Sequence, residues 1–502
     1  MMLRDFTRLF LDNSVLIKHL RSRLRRNELF PSIGGLIAVL GMGLWSFAAT
    51  DKSLGSLPYV VLVVQGFVLL FGGTTQVLTS ISRAKEVGVL DFHRISPQSP
   101  LALTIGFGVG GAIREWLLYA ITLPFLLISC IVSKPGIGGF LTLTIGTVMI
   151  ALLYAVTAVC AGLIVDKTRN ATGTVTGAML LFHWILAPFG FLGFGFAHIT
   201  IYPVAGAALN PSSPTALFYG LEVPVLLVSI LHQVPLIAYI LIAAVRRMRH
   251  DRSFFLTKRQ AVTAFGVFAA VTLGDSVVVR EIPNFLQLSG IAPAGFVYGA
   301  GLMGTLLIAI TTPGWLEMQS GIVRARLQGA QRPNPWSPLA GNWASTLAIS
   351  ALAMVSTTML GVIHGQSGII LSGLVVGVHL IGFSSAKQAF DLAFRKHSLA
   401  FLALLYLILW VAPLVVGGVL GSTGPGTAGM GAAVGAISPL MSIGILAYTP
   451  QAGTPPTEGM PTQEIAALLA LAPGVITSLA LTQFRIRMER RVRRTAVESS
   501  VA

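Results

Sequence analysis

The chain has 502 residues, of which 54% are hydrophobic and only 10% are charged, and its formal net charge is +16. A soluble domain carries about 25% charged residues, so this composition excludes a soluble globular protein and indicates a helical membrane protein. The basic residues cluster in short segments between long apolar stretches, which is typical of membrane topology and not of a nucleic-acid-binding surface. We therefore expect the lipid bilayer, and no nucleic acid, as a partner.

In chain order, the first thirty residues combine apolar and basic side chains in a helical pattern. This predicts an amphipathic cytoplasmic interface helix over 1–30; a disordered basic tail is the alternative. Twelve apolar stretches follow that are long enough to span a bilayer, because a spanning helix needs about 20 apolar residues. We place them at 33–50, 57–81, 113–133, 139–165, 173–202, 219–245, 260–279, 292–312, 343–363, 366–386, 399–420 and 463–484.

The distribution of positive charge predicts the orientation of the chain. With twelve spans, every Lys and Arg except Lys52, Lys134 and Arg280 falls on the same side as the N-terminus. Basic loops stay in the cytoplasm, so both termini are expected there. Cys130 and Cys160 fall inside predicted spans, so no disulfide framework or metal cluster is expected.

A short internal match divides the chain into halves. The segment RISPQSPLA at 94–102 aligns without gaps with RPNPWSPLA at 332–340, and each copy follows the second span of its half. We predict an all-α integral membrane protein with about 12 transmembrane helices as two parallel six-helix repeats. A twelve-helix protein with an accidental match is the alternative. The predicted domains are the interface helix at 1–30, six-helix units at 31–247 and 260–486, a basic linker at 248–259 and a basic tail at 487–502.

Sequence motifs of catalysis are lacking. The chain contains no GxxxxGK[ST] phosphate loop, no HExxH, no CxxC and no GxSxG. The Gly-rich segment GSTGPGTAG at 421–429 lacks the lysine of a phosphate loop and is interpreted as a flexible outer loop. We therefore expect a protein that is not an enzyme and that holds no cofactor or metal of its own.

The charged segment between the second and third spans is the candidate functional site. The sequence AKEVGVLDFHRISPQSP predicts a short helix from Lys85 to about Ile95, ended by two prolines. Its apolar contacts would come from Val87, Leu90 and Phe92. A helix lying at the membrane surface and joined to two spans is a lever that a soluble partner can push. A solvated loop whose charges only set topology is the alternative.

This loop resembles the cytoplasmic coupling segment of ABC-2 type ABC transporter permeases. The matching positions are Glu86, Gly88, Leu90, Asp91, Pro97, Ser99 and Pro100. Arg114 stands roughly where that family has the lysine of a Gly-Lys helix start. The second copy, VRARLQGAQRPNPWSP, keeps the Pro-Ser-Pro end but lacks the Glu-x-Gly-x-Leu-Asp core. The resemblance assigns coupling to an ATPase to Glu86, Gly88, Leu90, Asp91, Phe92, Arg94, Arg324, Arg326 and Arg332.

The resemblance implies a permease subunit of an ATP-driven exporter in a bacterial cytoplasmic (inner) membrane, with two units fused in one chain. Separate ABC ATP-binding subunits, expected in two copies, would bind ATP and Mg²⁺ and drive alternating access between the bundles. Two alternatives stay open. GVLDFHR at 88–94 weakly echoes a loop motif of major facilitator transporters, and a membrane scaffold would transport nothing.

Overall fold

A computed structural model describes residues 12–49, 57–165, 177, 197–210, 214–251, 253–277, 291–394, 397–422, 425–447 and 462–501. The chain forms two compact units that divide between Phe255 and Leu256, except that Leu217–Gly220 group with the second unit. The predicted domain boundaries and the internal repeat stay predictions.

The residues up to Phe255 form helices and one short β-hairpin, of which Leu217–Gly220 group with the second unit. The elements are α1 (Ser14–Arg23), α2 (Arg26–Ala49), α3 (Leu57–Glu86), α4 (Val89–Ile95), α5 (Pro100–Gly111), α6 (Ile113–Val132), α7 (Gly136–Ile164), α8 (Tyr202–Leu209), β1 (Thr215–Phe218), β2 (Leu221–Pro224) and α9 (Val225–Arg249). Within α3, the stretch Gly66–Gly73 is π-helical.

From Leu256 onward, all the regular structure of the described residues is helical. Its elements are α10 (Lys258–Ser276), α11 (Ile291–Thr311), α12 (Trp315–Leu327), α13 (Trp343–His364), α14 (Ser367–Phe394), α15 (Ala400–Ser422), α16 (Pro425–Gly435), α17 (Pro439–Ala447) and α18 (Gln463–Val501). The segment at 421–429, predicted as a loop, contains the end of α15 and the start of α16.

Nine described helices are long and apolar enough to cross a membrane, or ten if the bent pair α11 and α12 is one span. The protein is therefore a multi-pass helical membrane protein, with fewer candidate spans among its described residues than the twelve predicted. The prediction at 173–202 lies almost entirely outside those residues. The stretch at 260–279 corresponds to α10, whose 19 residues fall short of the apolar character of a span.

Two boundaries differ from the predictions for local reasons. The hairpin occupies the first residues of the span predicted at 219–245, so α9 begins only at Val225. Tyr219 and Gly220 both have positive φ, 52° and 80°, as two-residue hairpin turns require. The bend of 63° between α11 and α12 falls at Pro313, which lacks the backbone N–H that would continue the helix.

Helix α1 is fixed to α5 by one buried side chain. Asn13 is fully buried, and its Oδ1 accepts hydrogen bonds from the backbone N–H groups of Val15 and Leu16, which caps α1. Its Nδ2 donates to the carbonyl oxygen of Ala102 in α5 at 2.6 Å. The N-terminal segment therefore contains a packed helix over 14–23; the apolar positions before Asp12 lie outside the described residues.

Candidate functional site

The predicted coupling segment has a break that the sequence prediction missed. Instead of one helix from Lys85, α3 continues to Glu86 and α4 begins at Val89, although α4 ends at Ile95 as predicted. Gly88 separates them with φ of 74°, a left-handed conformation that costs glycine little. Ser99 then caps α5 by accepting a hydrogen bond from the backbone N–H of Ala102 at 3.1 Å. The segment is thus a short helix held between two longer ones.

Only one of the three predicted apolar contacts of this segment is buried. Leu90 is 1% exposed, whereas Val87 and Phe92 are 64% and 67% exposed. Ile95, at the end of α4, is 84% exposed. The segment therefore packs against the unit through Leu90, whereas Val87, just before α4, and Phe92 and Ile95 within it stay exposed.

Arg94 connects α4 to the end of α9, the last helix of the first unit. Its Nη1 donates to Asp91 at 2.7 Å and its Nη2 to Asp251 at 3.1 Å. Its Nε and Nη2 also donate to the carbonyl oxygens of Met248 and Arg247 at 3.2 and 3.3 Å. These last carbonyls of a helix have no intrahelical partner, so Arg94 stabilises the C-terminus of α9. Arg94 is thus an internal anchor.

The two acidic positions of the predicted site, Glu86 and Asp91, are both exposed. Asp91 lies in the first turn of α4, where a carboxylate interacts favourably with the helix dipole. Glu86 ends α3. Both carboxylates are accessible to a basic partner surface.

The three basic residues predicted for the second loop lie on different kinds of structure. Arg324 and Arg326 are exposed in the last turn of α12, and Arg332 is exposed in the following irregular segment. The opposite face of α12 is buried. Its Met318 and Ile322 join one apolar cluster, whose other buried members are Leu392, Val492 and Ala496.

The matched segments fold differently from their shared Ser-Pro-Leu-Ala onward. In the first copy Ser99 begins the twelve-residue helix α5. In the second copy Ser337 makes a turn, in which its carbonyl oxygen accepts from the N–H of Ala340 at 3.1 Å, and the next helix starts at Trp343. Gly341 follows Ala340 directly, and glycine disfavours continuing a helix.

A buried lysine, absent from the predicted site, organises the second copy. Lys258 is fully buried, and its Nζ donates to the carbonyl oxygens of Pro335, Ala340 and Gly341 at 3.0, 2.7 and 2.7 Å. Burial lowers the pKa of Lys258 to about 7, and the charge of Glu489 partly opposes that effect. One sequence signal was available: a lysine at the first position of a helix opposes the helix dipole and so needs partners elsewhere.

Glu115 is a second residue that sequence reasoning missed. It is 3% exposed in the first turn of α6, and its Oε1 accepts from Nη2 of Arg114 at 2.8 Å. Its aliphatic carbons lie against Gly72 and Gly73 in the π-helical stretch of α3. The position of Arg114 is therefore explained by this ion pair. Across the residues that the structure describes, no group of three or more His, Cys, Asp or Glu side chains is arranged to hold a metal.

No family model, no curated protein and no solved structure matches the chain. The resemblance to ABC-2 permeases thus rests on the short motif in the first loop and on the order of the spans. What is established is a multi-pass helical membrane protein.

Proposed function

We propose that this chain is the transmembrane subunit of an ATP-driven exporter similar to ABC-2 type permeases. In this proposal a separate ATP-binding subunit docks on α4 and moves the helices attached to it. The observation that carries the proposal is the combination in α4 of an exposed apolar face and a fixed attachment to the first unit.

The exposed apolar face supports docking. Val87, Phe92 and Ile95 are each more than half exposed on a segment of nine residues that also carries the charged side chains of Asp91 and Arg94. A cluster of large apolar side chains with a polar rim marks an interaction surface in a soluble environment. The charge pattern predicts that this loop faces the cytoplasm, where an ATPase is available.

The attachment of α4 supports force transmission. Leu90 packs into the unit, Arg94 bonds to the end of α9, and two residues separate α4 from the end of α3. A push on α4 would therefore act on α3, α5 and α9 together, because packed elements move as rigid bodies.

The second loop supports a second, different docking site. Leu327 is 82% exposed at the end of α12, next to the exposed Arg326. The buried face of α12 contacts α14 and α18 through the cluster around Ile322. In the proposal, two ATP-binding subunits bind ATP and Mg²⁺, and this chain binds neither.

Co-purification of the full chain with an ATP-hydrolysing subunit tests this function. We expect the chain alone to hydrolyse no ATP and the complex to hydrolyse it. The double substitution of Phe92→Asp with Ile95→Asp should remove the partner, since it places two charges in the apolar interface. Both side chains are exposed, so the fold should be kept.

Leu221→Asp is the matched control, because Leu221 is 68% exposed but lies in β2, on the predicted outer side. It should leave the complex intact. If the double variant binds the ATPase as well as the unchanged chain does, docking on α4 is wrong. If no ATPase accompanies the chain, a scaffold or a secondary transporter becomes the better explanation.

A further inference from the structure

A cavity of about 250 Å³, open on one side to the surface, lies in the first unit. Its walls come from α1, α3, α4 and α5 and include Lys18, His19, Arg23, Arg83, His93 and Phe107. Every charged side chain among its lining residues is basic. The hydroxyl groups of Ser22 and Ser80 add two further polar groups to the wall.

The packing of α1 on α5 fixes three of these basic groups in place. Gly106 and Gly110, four residues apart in α5, lie directly under Val15 and His19 of α1. Small residues at this spacing let two helices approach closely. Lys18, His19, Ser22 and Arg23 then follow one another along the face of α1 that lines the cavity, at helical spacing from Val15.

Both imidazoles contact the same aromatic ring, that of Phe107. The ring centroids of His19 and His93 are 5.8 and 6.1 Å from that of Phe107, both in edge-to-face geometry. Burial, followed by the charges of Arg23, Lys18 and His93, lowers the pKa of His19 to about 4. Burial and the charge of Lys18 also lower the pKa of His93. Burial first, and the neighbouring positive charges second, thus disfavour protonation of both imidazoles.

Phosphate is the anion that this geometry fits. Its oxygens accept several hydrogen bonds at once, from guanidinium, ammonium and hydroxyl donors, and arginine recognises it well. The cavity volume of about 250 Å³ is several times the roughly 30 Å³ that one water molecule occupies in the liquid, so a phosphate group has room. Helix α2, the first candidate span, begins three residues after α1 ends, so the cavity lies near the end of a membrane helix.

We propose that this cavity binds a phosphate group at the predicted inner surface of the membrane. Phospholipid headgroups and soluble phosphates share this chemistry. Val87, Val89 and His93, in and next to α4, form part of the wall. A bound phosphate would therefore contact α4 and stabilise its position. The proposal concerns binding and does not depend on the ATPase assignment.

The test uses the full chain in phosphatidylcholine nanodiscs. Phosphatidylglycerol is added in one arm and inorganic phosphate in the other, and retained ligand is measured by native mass spectrometry. The double variant Lys18→Gln with Arg83→Gln should bind about 30-fold more weakly, since each basic group near a membrane contributes about 1 kcal/mol. Both side chains are exposed, so the core stays intact.

Arg21→Gln is the matched control, because Arg21 is exposed on the same helix but does not line the cavity. It should bind like the unchanged chain. Retention of only phosphatidylglycerol identifies a lipid, and retention of inorganic phosphate identifies a soluble ligand; either supports the site. A histidine NMR titration should also show the pKa of His19 rising when the ligand binds. Equal binding by the double variant, or equal loss in Arg21→Gln, would overturn the proposal.

Discussion

Arg94 and Arg332 occupy matching positions in the two aligned segments, yet their surroundings differ. The side chain of Arg94 is 13% exposed and bonds to the end of α9, whereas Arg332 is exposed. Hydrogen bonds that involve a charged group contribute about 1.5–3 kcal/mol. We expect Arg94→Gln to lower the free energy of unfolding by about 2 kcal/mol.

The matched control is Arg332→Gln, which should change the stability by less than about 0.5 kcal/mol, as exposed substitutions do. Thermal unfolding of the detergent-solubilised variants measures both effects. Equal unfolding midpoints for the two variants would show that Arg94 does not anchor α4.

Lys258 gives the protein a stability that depends on pH. The pKa of Lys258 is lowered to about 7 in the fold, against 10.5 for an ordinary lysine. Between these values the unfolded chain binds a proton that the folded chain does not, so stability should rise with pH from 7 to 10.5. Below pH 7 Lys258 is protonated in both the folded and the unfolded chain, so its contribution to stability no longer changes with pH.

Lys258→Met removes this titration. Its unfolding midpoint should rise less between pH 7.5 and 9.5 than that of the unchanged chain, and it should be lower overall because three buried carbonyl oxygens lose their donor. Parallel pH profiles for the two proteins would contradict the assignment of the slope to Lys258.

At the scale of helices, Gly106 makes the tightest of the glycine contacts between α1 and α5. A Cβ at Gly106 would lie 2.7 Å from Oδ1 of Asn13 and 2.9 Å from Cβ of Val15. Gly106→Ala should therefore displace α1, although alanine favours a helix. At Gly108 a Cβ would make an ordinary contact of 3.5 Å with Val159. Gly108→Ala is accordingly the control and should leave α1 in place.

Limited trypsin digestion measures this displacement, because α1 contains Lys18, Arg21 and Arg23. Gly106→Ala should be cleaved there several times faster than the unchanged chain, and Gly108→Ala should not. Equal cleavage of the two variants would mean that the close approach of α1 is unimportant.

Sequence patterns predicted some of these helices and missed some of their breaks. Long apolar stretches predicted most of the spanning helices, because burial in lipid requires apolar residues over a fixed length. The break at Gly88 was missed because glycine is compatible with both a helix and a left-handed turn. The matched segments fold differently although their Ser-Pro-Leu-Ala is identical, and in the second copy the carbonyl oxygens of Pro335, Ala340 and Gly341 bond to the distant Lys258. A hydropathy profile shows neither the break at Gly88 nor the different folding of the matched segments.

The candidate site was predicted less completely than the helices. The short helix ending at Ile95 and the buried Leu90 agree with the sequence pattern. The roles of Arg94, Lys258 and Glu115 depend on partners that are distant in the chain, such as Met248 for Arg94. No local pattern identifies such a partner, so these roles required the structure.

At the scale of the whole molecule, the charge pattern predicts that both ends of the chain lie in the cytoplasm. Cysteines introduced at the exposed positions Arg21 and Arg494 should be protected from an impermeant thiol reagent in intact cells. A cysteine at Leu221 should react. The native Cys130 and Cys160 are buried, so their background labelling should be low. Labelling of position 21 or 494 before permeabilisation would contradict the orientation.

In the proposed function, α4 docks an ATP-binding subunit. A photo-crosslinking amino acid at position 92 in living cells tests this docking directly, with position 221 as the control and the captured protein identified by mass spectrometry. We expect position 92 to capture a protein with a GxxxxGK[ST] phosphate loop and position 221 to capture none. Capture of no such protein at position 92, or equal capture at both positions, would contradict this docking.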